Sequence, residues 1–432
     1  MSDPARSATP RKMFRGWRMV GAASGIQFMQ SALLYQALGA YIALLREEKD
    51  WSKTALAGGS AVHAMEAALL GPILGWVIDR FGSQMMIRVG VITLGVGLIL
   101  LGQIETLAGF YGAIVVIALG TSLCGFFPLN VTIIHWFDKY RARALSGVAM
   151  GLAMGGIAMP LVAYSMQTYG WRATAVGSGI LMIVVGLPLA TVFSGKPEDH
   201  GEVPDGHHAR SIADLDLSKR GQPDGKDFTA RQAMRTRAFW LLALGHGSAL
   251  LVVTGVNVHA ITHMTQGLHY TLAQASIVIT VMTISQIIGV MMGWVIGDRF
   301  TKRLVAALCM FGHGFGLLML TYASNWMMVG LFAVFHGGAW GLRGPFMQAI
   351  RADYFGRSSI GKIMGFSSLI VVSGQVGGPL IAGYFGDLTG DYRTGFTILA
   401  ALAATGSILF VLALRPTHPD ALEAPPTNGK PS

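Results

Sequence analysis

Charge is scarce in this sequence. Asp, Glu, Lys and Arg together make up 12% of its 432 residues, about half of the roughly 25% found in a typical soluble domain. So few charges cannot cover a water-facing surface. That excludes the two or three soluble domains this length would otherwise suggest. Cysteine is scarcer still. Cys124 and Cys309 each stand inside an apolar run, so no disulfide framework is implied. A glycine-rich phosphate loop ending in Lys-Ser or Lys-Thr is also missing, and with it the means for ATP-driven work. No histidines have the company or spacing of a metal site. The segments between apolar runs hold no catalytic constellation. No cofactor is expected, and an enzyme reading has no support.

What is present is apolar length. Apolar residues make up 52% of the chain. A spanning helix needs roughly 20 mostly apolar residues. Twelve such stretches occur, near 17–45, 54–78, 85–104, 107–136, 144–168, 173–194, 238–264, 272–297, 303–323, 326–350, 360–386 and 394–414. The first follows Arg11, Lys12, Arg15 and Arg18 and is too long for a signal-peptide core. The expected fold is all-α and polytopic, with twelve transmembrane helices in two six-helix bundles. A tail (1–16) precedes the first bundle (17–194). A polar, aperiodic stretch (195–237) reads as a flexible linker to the second bundle (238–414), and a short tail (415–432) ends the chain.

The net charge of +10 would suit a nucleic-acid partner, but the basic residues lie in short clusters between apolar runs. Their partner is the lipid bilayer, not nucleic acid. With the N-terminus placed inside, 26 of the 32 Lys and Arg fall in inward-facing segments. Outward loops hold Arg46, Lys49, Lys53, Arg172 and Arg393, and Arg343 lies within a span. By the positive-inside rule both termini are cytoplasmic, and the expected location is a cell membrane, the bacterial inner membrane.

The chain repeats itself. Residues 71–81 read Gly-Pro-Ile-Leu-Gly-Trp-Val-Ile-Asp-Arg-Phe, and residues 289–300 read Gly-Val-Met-Met-Gly-Trp-Val-Ile-Gly-Asp-Arg-Phe. Pro160-Leu161-Val162-Ala163 pairs in the same way with Pro379-Leu380-Ile381-Ala382. Two six-helix units in one orientation imply a pseudo-twofold axis along the membrane normal.

The segment Gly75-x-x-x-Asp79-Arg80-x-Gly82 resembles the cytoplasmic signature of the major facilitator superfamily, although Ser83 and Gln84 follow where basic residues are usual. The resemblance implies a gating role for Gly75, Asp79, Arg80 and Gly82, and for Asp298 and Arg299 in the second copy. Gly16-Trp17, Trp51-Ser52, Gly71-Pro72 and Arg141-x-Arg143-Ala144-Leu145-x-Gly147 are similar to the monocarboxylate transporter and oxalate:formate antiporter branch. The chain departs from that branch in having no Lys in its first helix and no charge in its eighth before Asp298.

Charges inside spans are costly and mark function by default. Two stand out. Glu66 lies thirteen residues before Asp79, or about 20 Å along a helix. It is a candidate for proton coupling, with His63 one turn earlier on the same face. Arg343 offers a planar fork that matches a carboxylate in two-point contact, which makes it the candidate anion-binding residue. The resemblance, through the helices that line the superfamily's cavity, adds Gln27, Gln30, Tyr35, Asn257, His259 and Trp340. Helix-to-helix hydrogen bonding is the alternative for each of them. His246, His313 and His336 read as packing residues.

These readings converge on a secondary transporter of a small organic anion, a monocarboxylate being the expectation, with alternating access and proton symport. The expected partners are that anion and protons, with the chain acting as a monomer. Two alternatives stand beside it. One is an exporter of lipophilic compounds by proton antiport, with some of the 23 Met residues lining an adaptable pocket. The other is a sensor that binds a ligand without moving it.

Overall fold

The computed structural model describes residues 14–49, 51, 53–206 and 227–419. Nine helical stretches among them are long and apolar enough to cross a membrane. One, Arg141–Thr191, holds two spans that meet at Gly170. There a φ of +82° turns the chain back, a conformation that a side chain would strain. Lys53–Phe81 and Trp326–Phe355, 29 and 30 residues long, bring the spans to the expected twelve.

The first span joins Arg15–Gln30 to Leu38–Lys49 through a π-helical turn, Ser31–Tyr35. The second is Lys53–Phe81 and the third Ser83–Leu101. The fourth joins Leu107–Cys124 to Phe126–Trp136 across a break at Gly125. The fifth begins with Arg141–Met154, and the sixth ends at Thr191. The second set consists of Arg237–Thr262, Leu272–Ile296, Lys302–Thr321, Trp326–Phe355, Ile360–Thr389 and Arg393–Leu412.

Each set has its own core. Ile26, Val91, Leu94, Ile117 and Leu145 anchor the first. Phe239, Val256, Met310, Phe332 and Phe396 anchor the second. Many large apolar side chains stay exposed, among them Val184, Ile277, Met291, Leu308 and Leu380. In water such a surface would drive association. In a bilayer it is the surface that faces lipid.

The hydrogen bonds that join the halves cluster at one end, which carries most of the basic residues and is called here the basic face. Asp79, at the end of the second span, accepts from the backbone N–H of Gly361 (3.2 Å) and Lys362 (3.1 Å) at the start of the eleventh. Asp298, after the eighth, accepts from Ala142 (2.9 Å) and Arg143 (3.0 Å) at the start of the fifth. Gly361 and Lys362 follow Ala142 and Arg143 by 219 positions, so the two contacts are pseudo-twofold mates. Each carboxylate meets otherwise unsatisfied N–H groups and the positive end of a helix dipole. Glycine makes the approach possible, since a Cβ at Gly75 would stand 2.3 Å from the carbonyl oxygen of Gly361. Arg141 pairs with Asp353 across the halves, and Lys302 bonds the same carboxylate at 2.8 Å.

The segment 195–237 differs from the flexible linker its composition predicts. Its described parts are docked. Asp205 accepts from the backbone N–H of Lys139 (2.8 Å) and Tyr140 (3.2 Å) before the fifth span. Asp227 accepts from Arg357 (3.0 Å) and Ser358 (2.8 Å) before the eleventh. The Arg357 guanidinium donates to the His135 carbonyl (2.7 Å) and pairs with Glu198 (3.1 Å). Polar residues without apolar periodicity are therefore used here to satisfy turn N–H groups, which composition cannot reveal. At the opposite face, Glu48, Lys49, Glu105 and Arg172 form a clasp within the first half.

Candidate functional site

Two polar clusters lie inside the helices, one in each half. In the first half they gather at irregular backbone. Gln30 Nε2 donates to the carbonyl oxygen and to Sγ of Cys124, both at 3.1 Å. Ser122 Oγ donates to Glu66 Oε2 at 3.0 Å. Ser122 and Cys124 lie in the last turn before the break at Gly125, and Gln30 immediately precedes the π turn. A π turn widens a helix and re-aims its side chains, and such turns concentrate at functional sites. Tyr35, at the end of that turn, is 45% exposed and within electrostatic reach of Cys124 and Glu66. Gln27 Nε2, Gln30 Oε1, Glu66 Oε1 and both amide atoms of Asn130 are buried without a hydrogen-bond partner among the described residues. Glu66 meets Ser122, and the expected His63 partner has its side chain outside the described residues.

In the second half the cluster is cationic. Arg343 is 1% exposed, and its Nε and Nη1 have no partner. His246, Cys309, His313, His336 and Arg351 lie within its electrostatic reach. No carboxylate pairs with it among the described residues. Arg351, expected at the membrane edge, is instead buried because the tenth helix runs on to Phe355. It bonds the carbonyl of Met347 (3.0 Å), Ser367 Oγ (2.8 Å) and His246 Nδ1 (3.2 Å). Two of the histidines read as packing residues in fact meet, with Nδ1 of His313 and Nδ1 of His336 3.2 Å apart. One residue after Arg343 and Gly344, Pro345 leaves the Gly341 carbonyl without its helical N–H. Arg343 and Gly344 follow Cys124 and Gly125 by 219 positions, so the two clusters occupy equivalent places in the repeat.

The other expected residues divide. Gln27 and Gln30 are buried. Trp340 is half-buried, and Asn257 is exposed on the seventh span. His259 Nε2 bonds the Pro379 carbonyl at 3.0 Å and its ring lies 5.0 Å from that of Tyr392, a helix-to-helix role. In the signature segments it is Asp79 and Asp298 that reach the other half. Arg80 lies over the rings of Trp76 and Phe81, 5.6 Å from each, and Arg299 is exposed. Gly82 holds a φ of +78° before the third span. Ser122 was not singled out from the sequence, Asn130 was given no part in the site, and His313 and His336 were read as packing residues. A polar residue inside an apolar run was the only available signal.

The family model for the Major Facilitator Superfamily matches residues 23–259 and 242–432. Monocarboxylate transporter 13 of Bos taurus is 24% identical over 409 residues, covering 91% of this chain and 88% of the relative. The membrane sensor protein UhpC of Salmonella typhimurium is 26% identical over 352 residues, covering 75% and 78%. Among solved structures, the proton:xylose symporter XylE superposes with a TM-score of 0.73 at 14% identity, covering 94% of this chain and 97% of that one.

Proposed function

This chain belongs to the major facilitator superfamily, and on that premise we propose that it is a secondary transporter of a small organic anion, a monocarboxylate being the first class to test. It is a multi-pass membrane protein of the transporter class and not an enzyme. The single observation behind the anion assignment is Arg343, a fully buried guanidinium whose Nε and Nη1 have no partner among the described residues. An uncompensated buried charge is expensive, and a bound carboxylate would supply both the missing charge and the missing acceptors. The likeness to monocarboxylate transporters agrees with that choice of substrate class.

Contacts concentrated at the basic face support alternating access, with that face closed here and opening in the other half of the cycle. Glu66, bonded through Oε2 alone among the described residues, is the proposed proton-coupling group for symport. The basic face is assigned to the cytoplasm, and the membrane to a bacterial inner membrane.

The test is uptake of radiolabelled lactate, pyruvate and other short carboxylates into proteoliposomes under an inward proton gradient. Saturable uptake is expected in the wild type and should disappear in Arg343→Gln. Uptake by Arg343→Gln at the wild-type level overturns the assignment. The likeness to UhpC favours a second reading, in which ligand binds without being moved. Binding without counterflow would select it.

A further inference from the structure

The histidine pair is a buried group that the proposed mechanism leaves unused. His313 sits mid-way along the ninth span and His336 on the tenth. Both are 0% exposed, with ring centroids 4.6 Å apart. At 3.2 Å their two Nδ1 atoms share a hydrogen bond, so one must carry the proton and the other must accept it. In the neutral pair this sets the other two nitrogens. The donor ring has a bare Nε2 and the acceptor ring carries its hydrogen on Nε2. Both Nε2 atoms are buried without a partner among the described residues. A proton can therefore be added at the bare Nε2 without breaking the Nδ1–Nδ1 bond, and the pair then holds one positive charge.

The charged and titratable neighbours are few. Arg343 is seven residues after His336, or about 10 Å along the same helix face. Cys309 is one turn before His313 on the ninth span. His246 faces this interior from the seventh, and Arg351 bonds it. The eighth span, Leu272–Ile296, contains no Asp, Glu, Lys, Arg or His. The eleventh and twelfth carry such groups only toward their ends, at Lys362, Asp387 and Arg393. Among the described residues no carboxylate faces the pair.

We propose that the His313–His336 pair is a proton site linked to anion binding at Arg343. This rests on the anion reading of Arg343 and deepens it. A protonated pair and a bare Arg343 are like charges in one low-dielectric interior. An anion on Arg343 removes that repulsion, so each ligand favours the other. Linkage requires the effect to be reciprocal. Glu66, in the other half, is assigned to coupling during translocation, not to this binding step.

The experiment measures pyruvate affinity of the purified full-length chain in detergent between pH 8 and pH 5, by Trp fluorescence or calorimetry. If one proton is taken up with the anion, affinity rises by up to about tenfold per pH unit on acidification. Wild type and Glu66→Gln should both show this rise. His313→Gln and His336→Gln should bind as wild type at pH 8 and lose the rise. A rise retained in both histidine variants overturns the proposal, as does its loss in Glu66→Gln alone. Loss of binding at pH 8 in the histidine variants assigns the pair a structural role and overturns it as well. Failure of the wild type to bind pyruvate, lactate or any tested carboxylate overturns the anion reading, and this proposal falls with it.

Discussion

Arg343 and Glu66 differ in what a conservative change should do. Arg343→Lys keeps the charge and loses the planar fork, so anion affinity should fall about tenfold, the equivalent of one charge-assisted hydrogen bond. Arg343→Gln removes both and should fall further, and equilibrium binding separates the two. Glu66→Gln keeps the shape and the Ser122 hydrogen bond but cannot release a proton. Exchange of labelled for unlabelled anion should continue, while accumulation driven by a proton gradient should stop. Accumulation at the wild-type level would remove Glu66 from the coupling. Both residues were legible in the sequence because a charge inside an apolar run stands out. Their partners were not. Ser122, Asn130 and the histidine pair are ordinary polar residues until packing buries them.

Between elements, the decisive contacts are carboxylates on helix N-termini. Removing such a cap costs about 1 kcal/mol, or roughly fivefold in an equilibrium. Asp79→Ala and Asp298→Ala should each weaken closure of the basic face by about that factor, and the double variant should approach their product. A cysteine placed at Ser146, which packs against Gly293, would report this as faster maleimide labelling. Unchanged labelling in the double variant would mean that other contacts hold the face shut. At the opposite face, Lys49 beside Glu105 holds that carboxyl below the usual range. A depressed carboxylate contributes stability above its unfolded pKa and loses it as pH falls through the folded value. The melting-temperature difference between wild type and Glu105→Gln should therefore be present near neutral pH and vanish on acidification. A difference that persists in acid would show that charge is not its source.

For the whole molecule, orientation is open to direct measurement. Cys124 and Cys309 are buried, so the native background should be nearly silent to a membrane-impermeant maleimide. Asn325→Cys, in a loop of the opposite face, should label on intact cells. Ser358→Cys, at the basic face, should label only after permeabilisation. The reverse pattern would invert the assigned topology. The repeat that suggested two halves also locates their contacts, because residues 219 apart meet equivalent partners. That correspondence could be read as duplication from residues 71–81 and 289–300 alone. That the second copy clamps the fifth span and the first copy the eleventh could not.

The sequence by itself determined the solvent, the number of spans and the duplication. These follow from local quantities: apolar length against bilayer thickness, the scarcity of charge and the spacing of short identical segments. Only the tertiary structure decided which buried polar groups face one another. It placed Glu66 against Ser122, buried Arg351, and brought His313 to His336 across two helices. It also docked the described parts of a segment that reads as loose linker, one against each half. Side-chain partners on different helices depend on helix rotation, on breaks such as Gly125 and on close approach at glycines such as Gly75. None of these is carried by the residues' own spacing along the chain.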